Sequence, residues 1–157
     1  MPAHPNAAAI ERFYRAFDAR DAETMNALYA PGATFSDPAF GTLDGDEVRA
    51  MWTMLTRQAT DLSVIASDVR ADGDSGSAHW RAAYTFTATG RPVVNEIDAT
   101  FRFDAQGRIV EHRDRFSLWR WARQALGPAG LLLGSNPVGQ ALLRRRARAR
   151  LAAFMRR

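Results

Sequence analysis

From Leu62 onward the spacing of apolar residues leaves the helical period of about 3.6 and takes up a period of 2. Four stretches alternate in this way: Leu62–Ala71, Ser77–Ala88, Val93–Phe103, and a last one from Gly107 to Trp119. Turn-forming sequences separate them, at Asp72-Gly73-Asp74-Ser75-Gly76, Thr89-Gly90-Arg91 and Asp104-Ala105-Gln106-Gly107. A helix cannot gather such a pattern onto one face, so this half predicts a meander of long antiparallel strands. The last strand carries a conflict. Alternation puts Glu111, Arg113 and Arg115 on one face, which suits water, and His112, Asp114 and Phe116 on the other. The face to be buried therefore holds an imidazole and a carboxylate, and burying such groups is costly unless they are paired or used. This strand is the first pointer to a functional site.

Upstream the pattern is helical. Asn6 is placed to cap a helix to about Arg20, with Ile10, Phe13, Tyr14 and Phe17 on one side. Asp21 caps a short second helix carrying Met25, Leu28 and Tyr29, which Pro31-Gly32 stops. Ala33–Asp37 forms a short strand ended by Pro38. Asp44 and Glu47 form a capping box that opens a third helix to about Gln58, burying Val48, Met51, Trp52 and Leu55. Three helices followed by a meander predict an α+β fold, with N-terminal helices packed on one curved antiparallel sheet.

Residues 1–119 are expected to make up this domain, and 120–157 a helical, arginine-rich C-terminal extension. In its final helix Leu143, Ala147, Leu151 and Phe154 form an apolar stripe among arginines. The stripe suits packing on the same domain or on a partner subunit; a basic helix of this kind also suits contact with a membrane surface.

Charge and composition narrow the functional classes. All 21 basic residues are arginine, and seven of them fall in 144–157 without an acid, leaving 14 against 17 acidic residues in the body. That body is mildly acidic, so no nucleic-acid partner is expected. Cysteine is absent, which excludes disulfide scaffolds, thiolate metal sites and cysteine nucleophiles. His4 and His79 are not spaced to join His112 as ligands, so neither a metal nor another cofactor is predicted. The start, Met1-Pro2-Ala3-His4-Pro5-Asn6, lacks the pattern of a signal peptide, and no run of about 20 apolar residues occurs, so a cytoplasmic protein is expected.

Several motifs in order carry a family resemblance: Phe13-Tyr14-Arg15-Ala16-Phe17 with Asp21, Leu28 to Phe35, Asp37-Pro38, Phe40-Gly41, Gly45, Phe101-Arg102-Phe103 and Gly107-Arg108-Ile109-Val110. From about Ala8 to Trp119 the chain resembles the nuclear transport factor 2-like superfamily, which includes ketosteroid isomerase, SnoaL-type polyketide cyclases and limonene-epoxide hydrolase. The resemblance implies a cone-shaped half-barrel whose open end holds an apolar pocket; the chain is also expected to form a homodimer. Carried onto this chain, the pocket lining would be Tyr14, Phe17, Trp52, Trp80, Tyr84, Phe101, Phe116 and Trp119, with Tyr14 or Asn95 as hydrogen-bond donors.

The resemblance also implies the chemistry. Asp37-Pro38 matches the general base of ketosteroid isomerase, and a carboxylate in an apolar pocket becomes a competent base near neutral pH. The same aspartate could equally cap a turn before proline. Asp114 matches the last-strand region where polyketide cyclases keep an acid/base aspartate, and His112 is positioned to pair with it. The competing reading pairs Asp114 with Arg81, Arg102 or another neighbouring arginine. Ketosteroid isomerase carries oxyanion donors where this chain has Phe13 and Ala99. Tyr14 and Asp98 lie one residue away, and on a strand such a slip faces the wrong side. The expected function is binding of a small apolar molecule, with cofactor-independent isomerase, cyclase or hydrolase chemistry by an aspartate; the alternative is a non-catalytic ligand-binding or dimerisation domain.

Overall fold

The structure, a computed structural model, describes residues 4–157. Helix α1 (Pro5–Asp18) is capped by His4, whose Nδ1 accepts from the Asn6 amide. Asn6 is itself buried inside the first turn, where its Nδ2 donates to Gly73 O at 3.0 Å. The cap thus sits two residues earlier than the sequence suggests, because proline at the first helical position leaves His4 outside. Helix α2 (Ala22–Ala27) is short, and Tyr29 opens strand β1 (Tyr29–Asp37) instead of extending a helical face. Pro31 and Gly32 fall inside β1, where the register with its neighbour shifts between Tyr29 and Thr34, and an irregularity of this kind tolerates proline's missing N–H. A short β2 (Gly41–Asp44), not anticipated from periodicity, leads into α3 (Gly45–Gln58), whose capping box between Asp44 and Glu47 is present.

Strands β3 (Ser63–Asp72), β4 (Ser75–Phe86), β5 (Arg91–Phe103) and β6 (Ile109–Arg115) form the antiparallel meander. The six-stranded sheet has the order β2-β1-β6-β5-β4-β3, and β1 lies parallel to β6. Register shifts in the β1–β6, β3–β4 and β5–β6 pairs bend the sheet, which stays open. Its concave face takes up α1 and α3, burying Ile10, Phe13, Phe17, Phe35, Trp52, Ile97 and Phe101 in one core.

Strand β6 ends before Trp119. Ser117 Oγ accepts from the Arg120 amide and caps α4 (Leu118–Leu126), so Trp119 belongs to a helix. The Gln124 amide clasps β5 by accepting from Val94 N at 2.8 Å and donating to Val94 O at 3.0 Å. Helix α5 (Pro128–Leu133) crosses α4 so closely that a Cβ on Gly130 would lie 1.8 Å from Ala122 O, an approach only glycine permits. Helix α6 (Pro137–Met155) then runs back over α3. Its Leu151 enters the main core, and Arg148 Nη1 donates to Phe40 O and Thr42 O at 2.9 and 3.0 Å. None of the helices among the described residues is long and apolar enough to cross a membrane.

Candidate functional site

The parallel pairing of β1 with β6 sets Phe35 beside His112 and Ser36 beside Arg113. The next step of that register brings Asp37 alongside Asp114, both on the concave side. On the opposite flank of β6, Phe101 pairs with His112 and Ala99 with Asp114. Parallel pairing thus delivers the two carboxylates from distant parts of the chain to one place.

His112 is fully buried. Its ring stacks on Phe101 at 4.3 Å and meets Phe35 and Phe13 edge-on at 5.0 and 5.5 Å. Both ring nitrogens are partnered: Nδ1 with Tyr29 OH at 2.7 Å, Nε2 with Asp114 Oδ1 at 2.9 Å. The tautomer follows from the partners. The Trp52 indole can only donate, and it gives its N–H to Tyr29 OH at 2.9 Å. Burial pushes the Tyr29 phenol well above its ordinary pKa, so it keeps its proton and gives it to Nδ1. With Nδ1 as the acceptor, His112 Nε2–H is the donor to Asp114. Trp80 Nε1 donates to the same Oδ1 over a longer 3.4 Å. Every donor in the chain Trp52–Tyr29–His112 runs toward Asp114, whose Oδ1 is the final acceptor. Asp114 Oδ2 has no hydrogen-bond partner among the described residues. Arg81 and Arg102 pair instead with Glu96 and Glu111 on the outer face.

Asp37 meets different surroundings. Its Oδ1 accepts from the Phe40 amide at 2.6 Å, so it does cap the turn beyond Pro38, while its carboxyl also lines the cavity. Part of the residue's surface is open, but the carboxyl is packed among apolar groups. Burial pushes its pKa up to about 7, with the Phe40 amide opposing the shift and the nearby Asp114 charge adding to it. The folded chain therefore keeps a proton on Asp37 that the unfolded chain releases in the ordinary carboxylate range. That contribution to stability is whole below this range and is lost as pH rises through 7. Asp37→Asn can still accept from Phe40 but never ionises. In urea unfolding the variant is expected to match the parent near about pH 4 and to exceed it by about 2–4 kcal/mol near about pH 8.5. Equal stability at both pH values would show that Asp37 is ordinarily ionised.

The two aspartates line a cavity of about 230 Å³ between α3, the sheet and α6. Phe17, Trp52, Trp80, Tyr84, Asn95 and Phe116 form part of its wall. Tyr14, Phe101 and Trp119 do not: Tyr14 and Phe101 are buried in the core around Phe13, and Trp119 lies 36% exposed beneath the Arg123 guanidinium. The Tyr14 hydroxyl is buried with no hydrogen-bond partner among the described residues, and burial, then the Asp114 charge, drives its pKa well up. Phe13 and Ala99 are buried and offer no side-chain donor. Nothing in the sequence pattern marks Trp121, Phe35 or Tyr29 as site residues. Trp121 lines the cavity and donates to Tyr84 OH at 2.7 Å, which leaves the Tyr84 proton free for a ligand. Among the described residues no group of three or more His, Asp or Glu is disposed to hold a metal ion.

Residues 10–112 match the SnoaL-like domain family. Among solved structures, the chain is similar to IdmH, a putative polyketide cyclase from Streptomyces antibioticus, at 24% identity and a TM-score of 0.65, covering 77% of this chain and 98% of that one. A hypothetical protein of ketosteroid isomerase-like fold from Catenulispora acidiphila, in complex with trimethylamine, matches at 17% identity and a TM-score of 0.67, covering 76% and 93%. A SnoaL-like protein of unknown function from Burkholderia thailandensis matches at 24% identity and a TM-score of 0.60, covering 74% and 98%. No functionally curated protein matches the chain.

Proposed function

The chain belongs to the SnoaL-like domain family, and from that premise we propose that it binds a compact, mainly apolar carbonyl compound and acts on it by acid/base catalysis. Asp114 is the base and protonated Asp37 the acid. One observation carries this reading: two inward carboxylates line the same apolar cavity in unlike surroundings, Asp114 accepting from His112 and Trp80 while burial raises the pKa of Asp37 to about 7. In enolisation, Asp114 Oδ2 takes the proton from the carbon next to the carbonyl, while Asp37 gives its proton to the carbonyl oxygen. Asp114 ends protonated, Asp37 ionised and the substrate as its enol. Phe13 and Ala99 supply no donor to that oxygen, so Asp37, helped by Tyr84 or Asn95, takes over the stabilisation that oxyanion donors give elsewhere. His112 positions Asp114 and exchanges no proton with the substrate.

The cavity exceeds the roughly 150 Å³ that accommodates benzene in an engineered protein core, which favours a ligand of about two fused rings. The bicyclic ketone 2-tetralone is a suitable probe, because its ring system is apolar and its α C–H bonds are acidic. Trp52, Trp80 and Trp121 line the wall, so titration with 2-tetralone is expected to change tryptophan emission along a saturable one-site curve. A change that is only linear in ketone concentration would remove the cavity as a binding site for this class.

A further inference from the structure

From Arg115 to Arg157 the chain holds ten arginines and no acidic residue, whereas the remainder has 11 arginines against 17 acids. This one-sided charge coincides with a concentration of exposed apolar side chains. Of the eight large hydrophobic residues that the described surface exposes, Trp119, Leu131, Leu132, Val138 and Leu142 lie on α4, α5 and the start of α6. Leu132 and Val138, on either side of the α5–α6 turn, are 74% and 73% exposed. The turn is packed against α4: a Cβ on Gly134 would lie 2.9 Å from the Trp119 Cα. Trp119 carries the Arg123 guanidinium over its ring at 4.7 Å. Val138 and Leu142 are one turn apart on α6, and Arg145 and Arg146 follow on the next turn of that side, exposed and without an ion pair or side-chain hydrogen bond among the described residues.

We propose that this layer docks the protein on an anionic lipid surface, with the α5–α6 corner entering the headgroup region and Arg145, Arg146 and Arg123 meeting lipid phosphates. Charge complementarity selects an anionic partner, and the exposed aliphatic corner selects a lipid one. A nucleic acid would reward the arginines but leave Leu132 and Val138 in water. An indole at the edge of an apolar patch, next to arginines, is the arrangement that membrane interfaces favour. Helix α6 does not lie in the bilayer as a free amphipathic helix would. Its stripe of Leu143, Ala147, Leu151 and Phe154 is spent on the body of the protein, and Arg144 and Arg148 are tied to backbone carbonyls of the β1–β2 turn and of β2. The lipid contact therefore falls to the corner and to the outward arginines.

The test is co-sedimentation of the full chain with vesicles of phosphatidylcholine alone and of phosphatidylcholine with phosphatidylglycerol. Binding is expected on the anionic vesicles, about tenfold or more weaker on the neutral ones, and weakened again at high salt. Leu132→Ser with Val138→Ser, and separately Arg145→Gln with Arg146→Gln, should each weaken it about tenfold while leaving thermal unfolding unchanged, since all four side chains are exposed. Equal binding to both vesicle types, or none, would overturn the proposal. So would full binding by the Leu132/Val138 variant, which would mean charge adsorption alone. Displacement from vesicles by duplex DNA at lower concentration would identify a nucleic-acid surface instead. A parent dimer that the Leu132/Val138 variant abolishes would assign the corner to self-association.

Discussion

Asp114→Asn is expected to slow enzyme-dependent deuteration of the 2-tetralone α-carbon in D₂O by ~10²–10⁴-fold, the usual worth of a positioned general base. The substitution is nearly isosteric. Its Oδ1 still accepts from His112 Nε2, which lies 2.9 Å away, and from Trp80, so the buried relay keeps its direction. The amide nitrogen replaces Oδ2, the oxygen with no hydrogen-bond partner among the described residues, and its delocalised lone pair cannot take up a proton. Stability should change by less than about 1 kcal/mol, because no buried donor loses its acceptor. Loss of exchange with an unchanged unfolding midpoint isolates the chemistry. Exchange within threefold of the parent would assign the base elsewhere, Asp37 first.

The second large effect concerns stability. His112→Ala is expected to cost about 3–5 kcal/mol, read as a lower urea midpoint with an unchanged slope. The imidazole is fully buried and touches aromatic rings from α1, β1 and β5, so its removal leaves a void that those rings cannot close without leaving their packing. Two hydrogen bonds go with it. The Tyr29 hydroxyl keeps Trp52 as donor but loses its acceptor, and Asp114 loses its shortest donor while staying in an apolar wall. Each stranded group adds its own desolvation cost. A loss under about 1 kcal/mol would mean that the relay is not the structural centre described above.

The α+β architecture and the inward face of β6 were legible because alternation is a local property. Once Glu111, Arg113 and Arg115 are assigned to water, His112 and Asp114 have nowhere to point but the core. The partner of that strand was not legible. Nothing in the period of residues 29–37 announces parallel pairing with β6, and the irregularity around Pro31-Gly32 masks the strand's beginning. The helical spacing of residues 25–29 therefore places Tyr29 on a helix and gives no sign that its hydroxyl meets His112. The C-terminal tryptophans show the same limit. Extending β6 to Trp119 treats that residue as part of a strand. The Ser117 cap instead starts a helix, and two helical steps turn Trp121 rather than Trp119 toward the cavity. Asp37 was recognisable through resemblance, but its place beside Asp114 depends on strand order.

The most direct test of the acid/base site follows the α protons of bound 2-tetralone by proton NMR in D₂O, at protein concentrations where tryptophan emission reports saturation. The expected result is α-carbon deuteration well above the buffer rate, saturating in ketone with the same midpoint as the fluorescence change. Bound ketone that exchanges at the buffer rate would contradict it, and the cavity would then be a binding site without chemistry of this kind.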